Sequence, residues 1–148
     1  MTVELNDREC AFIDSGRVAH LATTDAAGDP HVVPVCYVYD GQRFFIAIDE
    51  KPKRSNRTLK RVRNIVESGR AALVIDRYDD ANWSRLAWLM VRGSGEMLGP
   101  ENPDHHRIVA ALRDRYAQYR EMALERAPII AITPERISSW GALDESAP

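Results

Sequence analysis

The chain has 148 residues, of which 45% are hydrophobic, and its formal net charge is −2 at pH 7. This size and composition predict one globular domain over residues 1–143 and a disordered tail at 144–148. No apolar run approaches the roughly twenty residues that cross a bilayer, and the N-terminus lacks a signal-peptide pattern. We therefore expect a cytoplasmic protein with no membrane partner and no general affinity for polyanions.

The first third of the chain predicts a short helix followed by three antiparallel strands. Asn6 and Glu9 have the spacing of a capping box, and Gly16 marks the end of the helix. Alternating apolar residues predict strands over 17–24, 31–39 and 43–48. The turns between them are rich in glycine, aspartate and proline, and Asp40-Gly41 is a strong hairpin signal.

The rest of the chain alternates between helices and further strands. A second helix, capped by Ser55 or Asn56, is expected to bury Leu59, Val62, Ile65 and Val66. Strands follow over 71–78 and 86–98, and Gly93 and Gly95 predict a bend in the second of them. A third helix is expected from Asn102 to the region before Pro128, then a sixth strand over 129–133 that Pro134 interrupts before 136–140. This order predicts a mainly β (α+β) fold, a six-stranded antiparallel barrel with connecting helices.

A dense basic segment lies between the third strand and the second helix. It reads Lys51-Pro52-Lys53-Arg54-Ser55-Asn56-Arg57-Thr58-Leu59. Cationic side chains beside the free N–H groups of a helix start are typical of a phosphate-binding site. The alternative is a solvated basic face without a ligand, which is common for charge runs. Binding of nucleic acid is disfavoured because the whole chain is not basic and aromatic residues do not accompany the charges.

No residue pattern indicates a catalytic side chain or a metal site. Cys10 and Cys36 lack metal-ligand spacing and are interpreted as reduced packing residues. The sequence has no paired-carboxylate motif, nucleophile elbow or phosphate-binding glycine loop. The four histidines, His20, His31, His105 and His106, are interpreted as structural or solvent-facing. We therefore assign no catalytic residue, as expected where a bound cofactor supplies the redox chemistry.

Three segments together resemble a known family. They are Arg17-Val18-Ala19-His20-Leu21-Ala22-Thr23-Thr24, Gly28-Asp29-Pro30-His31-Val32-Val33-Pro34-Val35 and Val91-Arg92-Gly93-Ser94-Gly95-Glu96, with the basic segment between the second and the third. In this order they resemble the pyridoxamine 5'-phosphate oxidase-like branch of the flavin-binding split barrels, in particular actinobacterial proteins that use the deazaflavin coenzyme F420. The resemblance spans nearly the whole chain.

The resemblance implies a homodimer that binds its cofactor in a groove at the subunit interface. Lys53, Arg54, Ser55 and Arg57 would hold the cofactor phosphate, and Ile48 and Asp49 would line the ring. The second strand would form another wall through Pro34 and Val35, because a proline favours an edge strand whose neighbours keep free backbone groups. Trp88 is a candidate for stacking on the ring or on a substrate.

The implied function is an F420-dependent oxidoreductase that transfers a hydride to a small unsaturated or conjugated acceptor. The first alternative is an FMN-dependent oxidoreductase of the same fold, because FMN carries a similar phosphate. Oxidation of pyridoxamine phosphate is less favoured, since no additional arginines for a substrate phosphate are evident. A further alternative is a protein that binds a flavin, F420 or haem without turnover, although no haem-ligand motif is present.

Overall fold

The computed structural model describes residues 2–48 and 59–144, which form three α-helices and seven β-strands. The helices are α1 (Asp7–Ser15), α2 (Lys60–Ser68) and α3 (His105–Arg115). The strands are β1 (Ala19–Thr24), β2 (Pro30–Val35), β3 (Val38–Tyr39), β4 (Phe44–Ala47), β5 (Arg70–Arg77), β6 (Ala87–Leu98) and β7 (Ile129–Gly141). None of the helices in these two ranges has the length and apolar character needed to cross a membrane.

All seven strands belong to one antiparallel sheet with the order β2-β1-β5-β6-β7-β4-β3. The two end strands, β2 and β3, follow one another in sequence, so the sheet curls round but leaves a split between them. The mainly β architecture and the antiparallel split barrel are as predicted. Among the described strands, β2 and β3 each pair on one side only, which leaves the barrel open at the split.

The structure has seven strands instead of six because the predicted strand over residues 31–39 is broken at Cys36 and Tyr37. Tyr37 is fully buried, and its hydroxyl donates a 2.5 Å hydrogen bond to the carbonyl of Ile13. Arg115 donates from Nε to the carbonyl of Tyr37 at 2.9 Å. These side-chain bonds hold the backbone out of the sheet and turn the chain from β2 into β3.

The last strand does not stop at Pro134, which corrects the prediction of a break. β7 runs on through a bulge, since Pro134 pairs with Gly93 while Arg136 pairs with Arg92, leaving Glu135 without a partner in the register. A Cβ on Gly93 would lie 1.9 Å from the carbonyl oxygen of Thr133. The predicted bend at Gly93 is therefore confirmed, and its cause is the close approach of the β7 backbone.

The bulge changes which side chains of β7 face the inside of the barrel. Before it, Ile130 and Ile132 join the main core, while Ile129 and Ala131 pack outside with α3. After it, Ile137 packs against the main core and its even-numbered neighbours are exposed. The outer side of the sheet thus has one half beneath α3 and another half, on β1, β2, β5, β6 and the end of β7, that no described helix covers.

The helices agree only in part with the sequence pattern. The capping box of α1 forms, with Asn6 and Glu9 exchanging bonds of 2.8 and 2.9 Å. The predicted cap of α2 at Ser55 or Asn56 is wrong, because α2 begins at Lys60 with Leu59 in the N-cap position. The predicted burial of Val66 is also wrong, since this side chain is 71% exposed.

The third helix is shorter than predicted. It begins at His105, ends at Arg115, and is followed by two short 3-10 turns. The apolar stripe nevertheless continues into these turns, where Tyr116 and Tyr119 remain buried. At the C-terminal end, Asp144 forms a 2.9 Å ion pair with Arg8, and residues 145–148 lie outside the described residues.

Candidate functional site

A cleft of about 180 Å³ opens at the split of the barrel, between the end of β2 and the end of β4. Its walls come from five separate parts of the chain: the segment before β1, strand β2, strand β4, helix α2, and the first 3-10 turn after α3. The lining residues are Val18, Pro34, Val35, Cys36, Ile46, Ala47, Arg61 and Tyr119. The cleft is mostly apolar, and Arg61 brings the one formal charge among these residues.

Free strand edges border the cleft on two sides. In the sheet, β2 pairs with β1 alone, so its other edge faces the split. On β4, Phe44 and Phe45 pair with both β3 and β7, but Ile46 and Ala47 pair only with β7. Backbone N–H and C=O groups of an unpaired edge seek other partners. A planar ligand with polar groups on its rim could bond to both edges at once.

Pro34 confirms the edge position that the sequence predicted for it. It lies in β2, opposite His20 of β1, and has no N–H to offer a second neighbouring strand. The alternation along β2 also follows the prediction, because Val35 is buried while Val32 is 65% exposed. Pro34 and Val35 both line the cleft.

Arg61 carries a buried polar atom without a partner. The Nε atom of its guanidinium is shielded from solvent and has no hydrogen-bond partner among the residues that the structure describes. A buried, unpaired donor costs about 1–3 kcal/mol, and more when the group is charged. Because the same side chain lines the cleft, an anionic or strongly polar ligand there would supply the missing acceptor.

Helix α2, which carries Arg61, is fixed to the β1–β2 hairpin by polar contacts. Asn64 is fully buried and donates from Nδ2 to the hydroxyl of Thr23 at 3.0 Å. Lys60 forms a 3.3 Å ion pair with Asp25. Glu67 accepts a 3.1 Å hydrogen bond from the backbone N–H of Ala26. These contacts set the position of the helix and hence of its first-turn arginine.

The Asp25 carboxylate is stabilised in its charged form. The backbone N–H of Asp29 and the ammonium group of Lys60 lower the pKa of this carboxyl. Its Oδ1 also accepts hydrogen bonds from the N–H groups of Ala27 and Asp29, at 2.9 and 3.0 Å. The anchor that holds α2 on the hairpin is therefore ionised at neutral pH.

The opposite wall is held by the end of α3. Tyr119 packs edge-on against Tyr116, with 5.7 Å between ring centroids. The Tyr116 hydroxyl lies within hydrogen-bond distance of two carbonyls, those of Arg17 and Tyr37, at 2.9 and 3.0 Å, and its single hydrogen can be donated to either. Arg115 also bonds to the carbonyl of Gly16. One turn of chain thus ties α1, the start of β1 and the β2–β3 junction together beside the cleft.

Two predicted site residues occupy other surroundings. Ile48 is only 8% exposed and packs in the main core, directly after the cleft residue Ala47. Trp88 lies on the outer side of β6, between its cross-strand partners Asp76 and Trp140, and is not a lining residue of the cleft. Whether either residue contacts a cofactor stays a prediction.

Five predicted cofactor contacts lie outside the described residues: the phosphate ligands Lys53, Arg54, Ser55 and Arg57, and the ring contact Asp49. The described chain nevertheless ends beside the cleft on both sides of this segment. Ile48 follows the lining residue Ala47, and Leu59 precedes the lining residue Arg61 by two positions.

Sequence reasoning named Pro34 and Val35 and missed the other six lining residues, three of which carry polar groups. Arg61 was one basic residue among several, and the helical pattern did not single it out because Asn64, which is buried on the same helix, is polar. Cys36 was interpreted as packing, and it does pack against the core beneath α3, but it is only half-buried and also lines the cleft. Tyr119 belonged to the predicted helical stripe, but only the turn after α3 brings it to β2.

Residues 2–48 and 59–144 contain no cluster of histidine, cysteine, aspartate or glutamate suited to hold a metal ion. The two cysteines of these ranges are free thiols. The polar groups at the cleft are those of Arg61, Cys36 and Tyr119, together with the free strand edges.

Comparison with solved structures shows the same fold in proteins of different description. A conserved hypothetical protein from Mycobacterium tuberculosis matches with a TM-score of 0.71 and 22% identity, covering 95% of this chain and 86% of that one. HutZ, a haem storage protein from Vibrio cholerae, matches with a TM-score of 0.71 and 16% identity over 97% and 100% of the two chains. An FAD-binding protein from Mesorhizobium loti matches with a TM-score of 0.65 and 20% identity over 94% and 96%.

No curated protein sequence matches the chain. The family model described as pyridoxamine 5'-phosphate oxidase, in contrast, matches residues 5–141. This range includes every described strand of the sheet and every residue that lines the cleft. The chain therefore belongs to the pyridoxamine 5'-phosphate oxidase family.

Proposed function

We propose that this protein is an oxidoreductase that binds a flavin-type cofactor at the split of the barrel, with F420 as the preferred cofactor and FMN as the alternative. The observation that carries the proposal is the buried, unpartnered Nε of Arg61 in an apolar cleft bordered by free strand edges. An apolar slot with a few convergent polar groups is the usual form of a cofactor site.

The residues of the cleft fit such a cofactor in three respects. The side chains of Pro34, Val35 and Ile46 offer apolar contact to a planar ring. The free edges of β2 and β4 offer backbone donors and acceptors to its polar rim. Arg61 offers a guanidinium to an anionic group. The proposed ligands of the phosphate remain Lys53, Arg54, Ser55 and Arg57, which lie four to eight positions before Arg61 in the sequence.

When bound, a reduced flavin or deazaflavin supplies the hydride, so the protein needs no nucleophile of its own. The chain itself binds the cofactor, orients its ring and shields the ring from water. The apolar walls exclude water from one side of the slot, and the guanidinium of Arg61 fixes the anionic end. The acceptor is proposed to be a small unsaturated or conjugated molecule that approaches the ring from the open side of the cleft.

The cleft of one subunit is small for this purpose. Its volume of about 180 Å³ is below the range of about 300–1,000 Å³ typical of sites for drug-sized ligands. Additional walls are needed to enclose a tricyclic ring. We propose that the protein acts as a homodimer and that the second subunit borders the cleft.

A cofactor titration tests the proposal, with a matched pair of variants on one helix. Arg61→Ala removes the guanidinium in the cleft, and Arg63→Ala removes an exposed arginine two positions away. A charge-assisted hydrogen bond contributes about 1.5–3 kcal/mol, so Arg61→Ala should weaken binding roughly 10- to 150-fold. Arg63→Ala should bind as the wild type does. The measurement is fluorescence titration with F420 and, separately, with FMN, extended to Lys53→Ala and Arg54→Ala.

Each result of this titration decides one part of the proposal. Tighter binding of F420 than of FMN supports the deazaflavin assignment, and the reverse supports the FMN enzyme. Equal weakening by Arg61→Ala and Arg63→Ala would show that only general positive charge matters. Binding of neither cofactor would overturn the proposal.

A second candidate function is binding of a cofactor or of haem without turnover, since the fold also occurs in a haem storage protein. Among the described residues, none of the four histidines lines the cleft, which favours the flavin-type cofactor. Oxidation of the reduced cofactor by added acceptors under anaerobic conditions separates an enzyme from a carrier. A Soret band after incubation with haemin would favour the haem alternative.

A further inference from the structure

A second group of buried polar atoms lies beneath α2, behind the wall of the cleft. Asn64 is fully buried and its Nδ2 donates to the Thr23 hydroxyl, but its Oδ1 has no hydrogen-bond partner among the described residues. The Nδ1 of His31 is also shielded from solvent and, within residues 2–48 and 59–144, equally without a partner. Buried polar atoms in folded proteins are nearly always hydrogen-bonded, so both atoms require an explanation.

The register of the sheet brings these two atoms to the same place. His31 of β2 lies directly opposite Thr23 of β1. Side chains of such a pair lie on the same face of the sheet, with about 5 Å between their Cβ atoms. This is the face that α2 covers, since the Thr23 hydroxyl is 3.0 Å from the Asn64 amide. The His31 ring and the Asn64 amide are therefore both neighbours of the Thr23 hydroxyl.

A water molecule fits the chemistry of this place. The Oδ1 atom of Asn64 can only accept a hydrogen bond, and the Nδ1 atom of His31 donates or accepts according to the state of its ring. Water donates and accepts, and buried waters typically make about three hydrogen bonds to polar groups that are otherwise unpaired. The Thr23 hydroxyl supplies a third polar group beside the other two.

The same residues connect the protein surface with the cleft. His31 is half-buried, so its ring also touches solvent. Asn64 lies three positions after Arg61 on α2, which places the two side chains on one face of the helix with about 5–6 Å between their Cβ atoms. Arg61 lines the cleft. We call His31, Thr23 and Asn64 the polar track, which begins at the surface and ends beside Arg61.

The proposed reaction needs a proton as well as a hydride. A hydride from the reduced cofactor forms a C–H bond at one carbon of a conjugated double bond. The electron pair of that double bond moves towards the other end of the acceptor, which must then take up a proton. A guanidinium does not release a proton in proteins, so Arg61 cannot supply it. Histidine is the side chain best suited to take a proton from solvent and to release it near neutral pH.

We infer that a short chain of water molecules occupies the polar track and carries a proton from His31 to the acceptor in the cleft. The imidazolium of His31 gives its Nδ1 proton to the water beside Asn64. Each water then passes on a proton, and the last one protonates the acceptor. His31 takes up a new proton from solvent, so the protein ends the cycle unchanged. Asn64 is a positioning residue, because it holds the water and transfers no proton itself.

The role of His31 is tested by single-turnover reduction of cyclohexenone with the reduced cofactor, without oxygen. His31→Gln keeps a polar side chain but removes the acid, so product formation should slow about 100-fold. The affinity for the oxidised cofactor should not change, because His31 does not line the cleft. His106→Gln, on the exposed side of α3, is the control and should react at the wild-type rate.

The pH dependence of the same rate gives a readout that a purely structural role would not change. The wild-type rate should fall as pH is raised, because the imidazolium is the donor, and His31→Gln should lose this dependence. The elements packed around the track also carry charged groups, which are Asp25, Asp29, Lys60, Arg61, Arg63 and Glu67. All of them are present in His31→Gln, so the comparison with the wild type isolates the imidazole.

Two variants of Asn64 test the water. Both lose the bond to Thr23, but Asn64→Ala leaves space for an additional water, whereas Asn64→Leu fills this space with an apolar side chain. Asn64→Ala should therefore keep most of the single-turnover rate, and Asn64→Leu should lose it as His31→Gln does. Equal rates in the two variants would overturn the water chain. Circular dichroism shows whether they fold, and if they do not, the His31 comparison decides.

A crystal structure of the protein shows the water directly. Ordered water is expected within hydrogen-bond distance of the Oδ1 atom of Asn64 and the Nδ1 atom of His31. A dry space, or a protein side chain in that place, would overturn the polar track. A wild-type rate in His31→Gln would overturn the proton role. A loss of rate confined to Cys36→Ser or Tyr119→Phe would do the same, because it would assign the proton to the lining of the cleft.

This inference rests on the proposed oxidoreductase function, and the two can fail separately. If the wild type binds neither F420 nor FMN, or reduces neither cyclohexenone nor menadione, the proposed function fails and the proton role of His31 fails with it. If the wild type reduces an acceptor and His31→Gln does so at the same rate, the proposed function stands and the proton role alone fails.

Discussion

The two halves of the outer side of the sheet share β6 and β7 but have opposite surroundings. Beneath α3, Ile108 and Leu112 are fully buried against Phe45 and Ala131. On the half that no described helix covers, Trp140 is 55% exposed and Val32, at the β2 edge, is 65% exposed. Because the described helices cover only half of this surface, the uncovered half is where a partner is expected.

The strongest test of this contrast is a truncation beneath α3. Leu112→Ala should destabilise the protein by about 2–5 kcal/mol, because the lost side chain leaves a cavity between helix and sheet. The measurement is the free energy of unfolding in urea. The effect should be the same at every protein concentration, since the cluster lies within one subunit.

Val74→Ala, on the half of the sheet that no described helix covers, is the matched truncation. It should lower the free energy of unfolding in urea by less than about 1 kcal/mol, because Val74 is only half-buried. A loss as large as that of Leu112→Ala would contradict the contrast between the two halves.

The boundary between the two halves can be disturbed at Gly93. A methyl group at this position would overlap the carbonyl oxygen of Thr133, since only 1.9 Å would separate the added carbon from that oxygen. Backbone cannot yield as a flexible side chain does, so Gly93→Ala should lose roughly 1–3 kcal/mol through strain. Thermal unfolding would measure this loss. Gly28→Ala is a control for general glycine effects, because an added Cβ there has open space and only the positive φ opposes it.

If Gly93→Ala proved as stable as the wild type, the bulge would not require the close approach of β7. A stable variant with reduced dimerisation would be equally informative. It would mean that β7 straightens and that the Ser138 and Trp140 positions shift relative to β6.

The smallest expected effects concern two turn aspartates, one on each side of the molecule. Asp25 belongs to the β1–β2 turn, and the N–H of Asp29 and the Lys60 ammonium lower the pKa of its carboxyl. Asp40 belongs to the β3–β4 turn beside α3, where Arg107 lies 3.3 Å from its carboxylate.

Burial raises the pKa of Asp40, but hydrogen bonds from backbone N–H groups and from Arg107 outweigh it, so the net shift is downward. A carboxyl whose folded pKa is depressed stabilises the protein at neutral pH and loses that contribution as pH falls below about 4. Asp25→Asn and Asp40→Asn should each reduce the fall in melting temperature between pH 7 and pH 3. An unchanged fall in both variants would contradict these pKa shifts.

The sequence predicted the local features of the fold well where short-range contacts decide them. The capping box of Asn6 and Glu9, the hairpin at Asp40-Gly41 and the edge position of Pro34 depend on neighbours in sequence or on the lack of an N–H. The failures have long-range causes. Pro134 was expected to end a strand, but the bulge opposite Gly93 accommodates it. Tyr37 looked like a strand residue, but its bond to Ile13 turns the chain.

For the cofactor cleft, the sequence named Pro34 and Val35 and missed Arg61. The two β2 residues follow from strand alternation, which is a property of the local pattern. The burial of Arg61 depends on the tilt of α2, and Asn64 and Lys60 set that tilt through contacts with residues some 35–41 positions away. The periodic pattern of apolar residues in the sequence does not indicate contacts between residues so far apart.

The sequence by itself determined the mainly antiparallel architecture, the family and the presence of a basic segment before α2. These features follow from the alternation of apolar and polar residues, from turn residues and from charge, which can all be read from short stretches of sequence. Only the tertiary structure decided where the barrel splits, that a half-buried arginine with a buried Nε atom lines this split, and which half of the sheet lacks a described helix over it. The physical reason is that these features depend on strand order and on contacts between residues that are distant in sequence.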